Sequence, residues 1–101
     1  MINRILLDQL KFPGEIAKDV AVREKKRRKE RGLTQAQLSS RSGVSLASLK
    51  RFEQTGEISF VSLLKIAAVL DETDSFEQLF TKREYHSIQE VIDEQGRESS
   101  S

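Results

Sequence analysis

The sequence predicts an all-α protein: four to five short helices around one small core, with a short extension at each end. Three observations predict it. Apolar residues recur at intervals of three and four through successive short segments, as on one face of a helix. Residues suited to capping (Thr34, Ser45, Ser59, Asp74) open these segments, and Gly32, Gly43 and Gly56 close three of them. The chain has 101 residues, 37% of them hydrophobic, so it can bury one modest core and not two.

The elements follow in order. Residues 2–12 carry Ile2, Ile5, Leu6 and Leu10 near helical spacing, but Leu7 and Phe12 spoil a clean face, and helix and strand both stay open there. Pro13 suits the first position of a helix, where its missing N–H costs nothing. Ile16, Ala17, Val20, Ala21 and Glu24 then share one face of a helix running to about Arg31, which Gly32 ends. Thr34 with Gln37 forms a capping-box pattern, opening a helix that Ser42-Gly43 closes. Ser45 opens the next, with Leu46, Leu49 and Phe52 at i, i+3, i+6, and it fades at Thr55-Gly56. Ser59 caps a fourth, striped by Leu63, Ile66, Ala67 and Leu70. Asp74 with Glu77 suggests a very short fifth helix bearing Phe76, Leu79 and Phe80. Ser87 with Glu90 repeats the capping-box pattern ahead of Ile88, Val91 and Ile92, and from Gly96 the composition is that of a disordered end. The expected division is an N-terminal extension (1–12), a helical domain (13–81) and an acidic tail (82–101).

Net charge is only +1, but its distribution is uneven. From Lys11 to Gly56 there are twelve Lys or Arg against five Asp or Glu; from Asp71 to Ser101, three against nine. A basic body is the footprint of a polyanion binder, and an acidic tail would face away from that polyanion or toward another protein. The run from Arg23 to Arg31 holds seven basic and two acidic residues, divided between solvated faces and approaches to phosphate. With no cysteine, disulfide frameworks, thiolate metal sites and cysteine catalysis are all excluded. No apolar run reaches the ~20 residues of a membrane span, and Asp8 and Lys11 interrupt the apolar start, against a signal peptide. A cytoplasmic protein is expected.

Two short helices joined by a tight glycine turn, the second basic and solvent-facing, make a helix-turn-helix. Counted from Gln35, Leu38 is fourth, Gly43 ninth, Val44 tenth, Leu49 fifteenth and Phe52 eighteenth. Leu38 should point into the crevice, Gly43 should supply the positive φ of the turn, and Val44, Leu49 and Phe52 should pin the second helix down.

On these residues the chain resembles the lambda-repressor-like family, also called Cro or Xre. The resembling stretch, about half the chain, runs from Arg28 to Leu70 and includes GLTQAQL, the SGVS turn and an acid, Glu53, near the end of the second helix. Ser39 departs from the family, which commonly has Ala at this helix crossing. The resemblance implies a four- or five-helix bundle that binds operator DNA as a homodimer. It implies that Gln35, beside Thr34, holds the DNA backbone, and that Glu53 forms a structural ion pair with Arg28. The N–H groups at the start of the helix after Thr34 suit a phosphate. Ser45 opens the recognition helix, whose expected exposed positions are Leu46, Ala47, Ser48, Lys50 and Arg51. Arg51 and Lys50 are the expected guanine readers, while Leu46 and Ala47 suit a thymine methyl. Thr55 and Gly56 are expected backbone contacts.

The leading function is therefore a sequence-specific regulator of transcription, a repressor, acting on double-stranded DNA. The alternative is an antitoxin similar to the HipB-like proteins, whose tail grips a kinase-like toxin. An enzyme fits poorly. The one histidine, His86, has Glu84 and Glu90 nearby, but no metal spacing or phosphate-cradling loop accompanies it. No cofactor or metal is expected.

Overall fold

The structure, a computed structural model, describes residues 11–82. The apolar N-terminal segment, the second capping box at Ser87 and the acidic tail beyond Lys82 lie outside the described residues. So do the dimer contacts and the antitoxin arm expected of them.

Five helices follow in order: α1 (Pro13–Glu30), α2 (Gln35–Ser42), α3 (Leu46–Thr55), α4 (Phe60–Val69) and α5 (Asp74–Glu77). No strand occurs among the described residues. This is the all-α architecture expected from the helical periodicity, in the lambda-repressor-like arrangement that the resemblance implies. None of these helices is long and apolar enough to cross a membrane.

The first four helices start and stop for local reasons, whereas Asp74, expected as a cap, lies inside α5, and Thr73 before it makes no side-chain capping bond. Pro13 takes the first turn of α1, and beyond Glu30 the chain closes in a Schellman arrangement: Gly32 N–H donates to Lys29 O at 2.9 Å and Leu33 N–H to Arg28 O at 3.1 Å. Thr34 caps α2 with a complete capping box: Gln37 N–H donates to Thr34 Oγ1 at 3.0 Å, and Thr34 N–H to Gln37 Oε1 at 2.9 Å. Ser45 and Ser59 accept from Ser48 N–H and Ser62 N–H at the heads of α3 and α4. Asp71, at φ 57°, does for α4 what glycine usually does, in the left-handed region that Asp tolerates. Glu72 N–H then reaches back to Ala67 O at 2.9 Å.

The core is small. Leu33, Leu38, Val44, Leu49, Ile66 and Leu70 form a buried cluster, with Ile58 and Val69 packed against it. Phe52 and Ala21 are buried as well. α1 lies across α3, and α2 packs on both α3 and α4. The apolar face expected on α1 sinks unevenly: Ala21 and Glu24 are buried, Ala17 and Val20 half-buried, and Ile16 exposed. Gly56, which closes α3, lies against α1. Its φ is +83°, and a Cβ there would stand 2.8 Å from Ala17 C and Lys18 N, inside the backbone of α1.

α5 is shorter than expected. It ends at Glu77, leaving Leu79 and Phe80 beyond it, and Phe80 is fully exposed at φ 62°. Phe76 is half-buried, its ring edge-on to the exposed Phe60 with centroids 6.0 Å apart.

Candidate nucleic-acid interface

α3 is docked by one face and free on the other. Leu49 and Phe52 are almost completely buried, while Ala47, Ser48, Lys50 and Arg51 are exposed. Leu46 does not share their exposure as expected: it is half-buried, because it stands three residues before Leu49, on the side of α3 that docks. Ser45 Oγ donates to Ser48 Oγ at 2.8 Å while accepting from Ser48 N–H, so the cap holds one hydroxyl of the outward face in place.

The turn between α2 and α3 is set by more than its glycine. Gly43 has φ 76° and returns its N–H to Ser39 O at 3.0 Å. Ser39 Oγ donates to Val44 O at 2.6 Å across the turn. A serine where the family commonly has alanine therefore supplies a donor to a carbonyl that the turn leaves without a helical partner.

Arg28 and Glu53 form a forked ion pair: Nε to Oε2 and Nη2 to Oε1, both at 2.9 Å, with side chains only 6% and 2% exposed. Arg28 also donates Nη1 to Leu33 O at 2.8 Å, and Gln35 Nε2 donates to Glu53 Oε1 at 3.0 Å. One carboxylate thus joins α1, α2 and α3. Burial pushes Glu53 up, but the bonds from Arg28, Glu24 and Gln35 outweigh it and hold the acid below its ordinary range. The same partner holds the Arg28 guanidinium above its usual value.

A second acid completes this cluster. Glu24 is buried, and neither of its carboxyl oxygens receives a hydrogen bond from a donor. Its neighbour is Glu53, to which a protonated Glu24 can donate. Burial first, then that bond and the Glu53 charge, push Glu24 up to about 8, against the opposing charges of Arg28 and Lys25. Two buried acids share one arginine, and the second keeps its proton.

The proposed backbone contacts sit around this joint. Thr34 is exposed and Gln35 half-buried at the start of α2, where the first N–H groups have no acceptor within the helix. At the far end of α3, Thr55 Oγ1 donates to Arg51 O at 2.8 Å and accepts from Glu57 N–H at 3.1 Å. Arg51 meets Glu57, whose Oε2 accepts from Nη2 at 2.6 Å and from Nε at 3.1 Å.

The basic run on α1 divides. Arg28 is buried, Arg27 reaches Glu72 at 3.1 Å and Arg31 reaches Asp71 at 3.0 Å, tying α1 to the α4–α5 turn. Arg23, Lys25, Lys26 and Lys29 differ from them in having no such tie to that turn. All four are exposed on the surface of α1. Nothing in the spacing of the run distinguishes the two groups; their partners come from a turn some forty residues away.

A pair of short helices with a glycine turn, the second docked by its apolar face and outwardly basic, is a DNA-binding module. Residues 25–76 match the helix-turn-helix family, in its Cro/C1-type branch, and this stretch is just over half the chain. The protein belongs to that family and is a DNA-binding regulator. No curated relative matches the chain.

Proposed function

We propose that the protein is a sequence-specific repressor that inserts α3 into the major groove of operator DNA. The observation that carries this reading is the division of α3, with Leu49 and Phe52 buried and Ala47, Ser48, Lys50 and Arg51 turned outward. A helix held so rigidly on one side can present a fixed row of side chains to base edges. Arg51 and Lys50 donate to guanine O6 and N7, and Ala47 meets a thymine methyl. The start of α2, at Thr34 and Gln35, takes a phosphate, while Ser45 and Thr55 flank the groove at the two ends of α3. The protein acts in the cytoplasm as a homodimer on two half-sites about one helical turn apart, roughly 34–36 Å, and it represses by occupying a promoter.

The test is selection of duplexes from a random pool, followed by competition between the enriched sequence and a scrambled one. Arg51→Ala should weaken binding to the enriched sequence by about 1–3 kcal/mol and relax the preference at one or two base pairs. Equal losses on enriched and scrambled DNA would show that Arg51 touches phosphate and that α3 does not read through it. Sedimentation of the free protein at micromolar concentration checks the dimer. A monomer that binds single half-sites would refute it.

A further inference from the structure

Arg51, the side chain expected to read a base, is held by a carboxylate from outside the recognition helix. Glu57 Oε2 takes Nε at 3.1 Å and Nη2 at 2.6 Å. Both side chains are well exposed, at 70% and 64%, so the pair adds little to stability. The turn that carries Glu57 is nevertheless fixed on two sides. Thr55 Oγ1 ties Glu57 N–H to Arg51 O, one hydroxyl bridging the last turn of α3 to the residue after Gly56. Gly56 itself lies against the backbone of α1, with no room for a Cβ. The backbone of Glu57 therefore cannot drift away from Arg51 without unseating α3 from α1.

A guanidinium has five N–H donors in a plane. With Nε and one proton of Nη2 committed to Glu57, the donor edge not used by Glu57 is the one formed by Nη1 and the second proton of Nη2. That edge matches the two acceptors of guanine, O6 and N7. The carboxylate also cancels the charge that would otherwise draw Arg51 to any phosphate, and phosphate attraction is the source of non-specific affinity.

We propose that Glu57 is a positioning residue for specificity: it turns the other edge of Arg51 toward guanine and withholds Arg51 from the phosphate backbone. This rests on the reading of α3 as the major-groove helix. Its signature is a coupling between the two residues, visible in the ratio of specific to non-specific affinity.

The experiment uses the full-length protein, the duplex that it enriches from a random pool and a scrambled duplex, titrated at several salt concentrations. The proteins are wild type, Glu57→Gln, Arg51→Ala and the double variant. Glu57→Gln should bind scrambled DNA several-fold more tightly, with a steeper salt dependence, and its specific-to-scrambled ratio should fall about tenfold. In the Arg51→Ala background the same change should leave that ratio unmoved, because there is no longer a guanidinium to position. A wild-type ratio in Glu57→Gln, while Arg51→Ala loses its own, overturns the role of Glu57 and leaves the α3 reading intact. An equal effect of Glu57→Gln with and without Arg51 also overturns it, since Glu57 would then act only through its field. Arg51→Ala that keeps the wild-type ratio, or a wild-type protein that enriches no sequence, overturns the reading beneath it.

Discussion

Replacing Glu24 by glutamine should remove a pH dependence from the stability of this protein. The acid is buried beside Glu53, its oxygens receive no donor, and it titrates near 8 in the folded chain against 4.5 for the free group. Between those two values the folded protein holds a proton that the unfolded chain has released. Stability therefore falls as pH rises through this window and levels off above 8. Glu53 works in the opposite direction. Held below its ordinary range, it contributes stability that is lost on acidification below the unfolded value. The stability maximum should accordingly lie on the acid side of neutrality. The gap between 4.5 and about 8 sets a ceiling of roughly 5 kcal/mol on the alkaline loss, at about 1.4 kcal/mol for each pH unit. Glu24 also lines a cavity of about 450 Å3 between α1, α4 and α5 that opens to solvent. Solvent screening there reduces the expected loss to about 2 kcal/mol. The amide introduced by Glu24→Gln is uncharged and can still donate to Glu53 as the protonated acid does. Urea unfolding of both proteins at intervals from pH 5 to 9 is the assay. Wild type should lose its ~2 kcal/mol by pH 8, and Glu24→Gln should stay level and be the more stable of the two at pH 9. Parallel slopes in the two proteins would refute the reasoning, because the proton would then be held elsewhere.

Other outcomes follow from the same contacts. Gly56→Ala combines a left-handed φ with a Cβ 2.8 Å from the α1 backbone, so it should cost about 3 kcal/mol in chemical unfolding. Arg28→Ala leaves Glu53 buried without its cation and should destabilise by about 3–5 kcal/mol, read as a lowered melting temperature. Ser39→Ala removes the 2.6 Å bond to Val44 O and should cost about 1 kcal/mol, measured by the same unfolding titration.

Much of the architecture is legible in the chain because it is enforced locally. Thr34, Ser45 and Ser59 precede their helices in sequence as they do in space, and Gly43 falls where the turn needs a positive φ. The limits appear where a side chain depends on distant chain. Glu24 shares a helical face with Ala17 and Ala21, and an acid inside an apolar stripe is a signal of burial. Its retained proton, though, depends on Glu53 arriving from α3. Arg27 and Arg31 look like any other member of a basic run until Glu72 and Asp71 come round to meet them. Glu57 stands outside every helix and had no place among the expected contacts, because its role exists only once the Thr55–Gly56 turn has folded it back onto Arg51. Leu79 and Phe80 continue the apolar spacing of α5 but not its helix, since periodicity reports a pattern and not where the hydrogen bonds stop.

The junction at Glu53 bears on how quickly the protein finds DNA. One carboxylate accepts from Arg28 of α1 and Gln35 of α2 while belonging to α3, so a single side chain ties the three helices together. Little internal ordering is left to pay for at encounter, so association should be governed by diffusion and orientation, and not by a folding step in the binding unit. A variant that loosens this junction would then show its defect first as a slower, less salt-sensitive approach to the bound state, with free protein sampling orientations of α2 and α3 that fit no duplex.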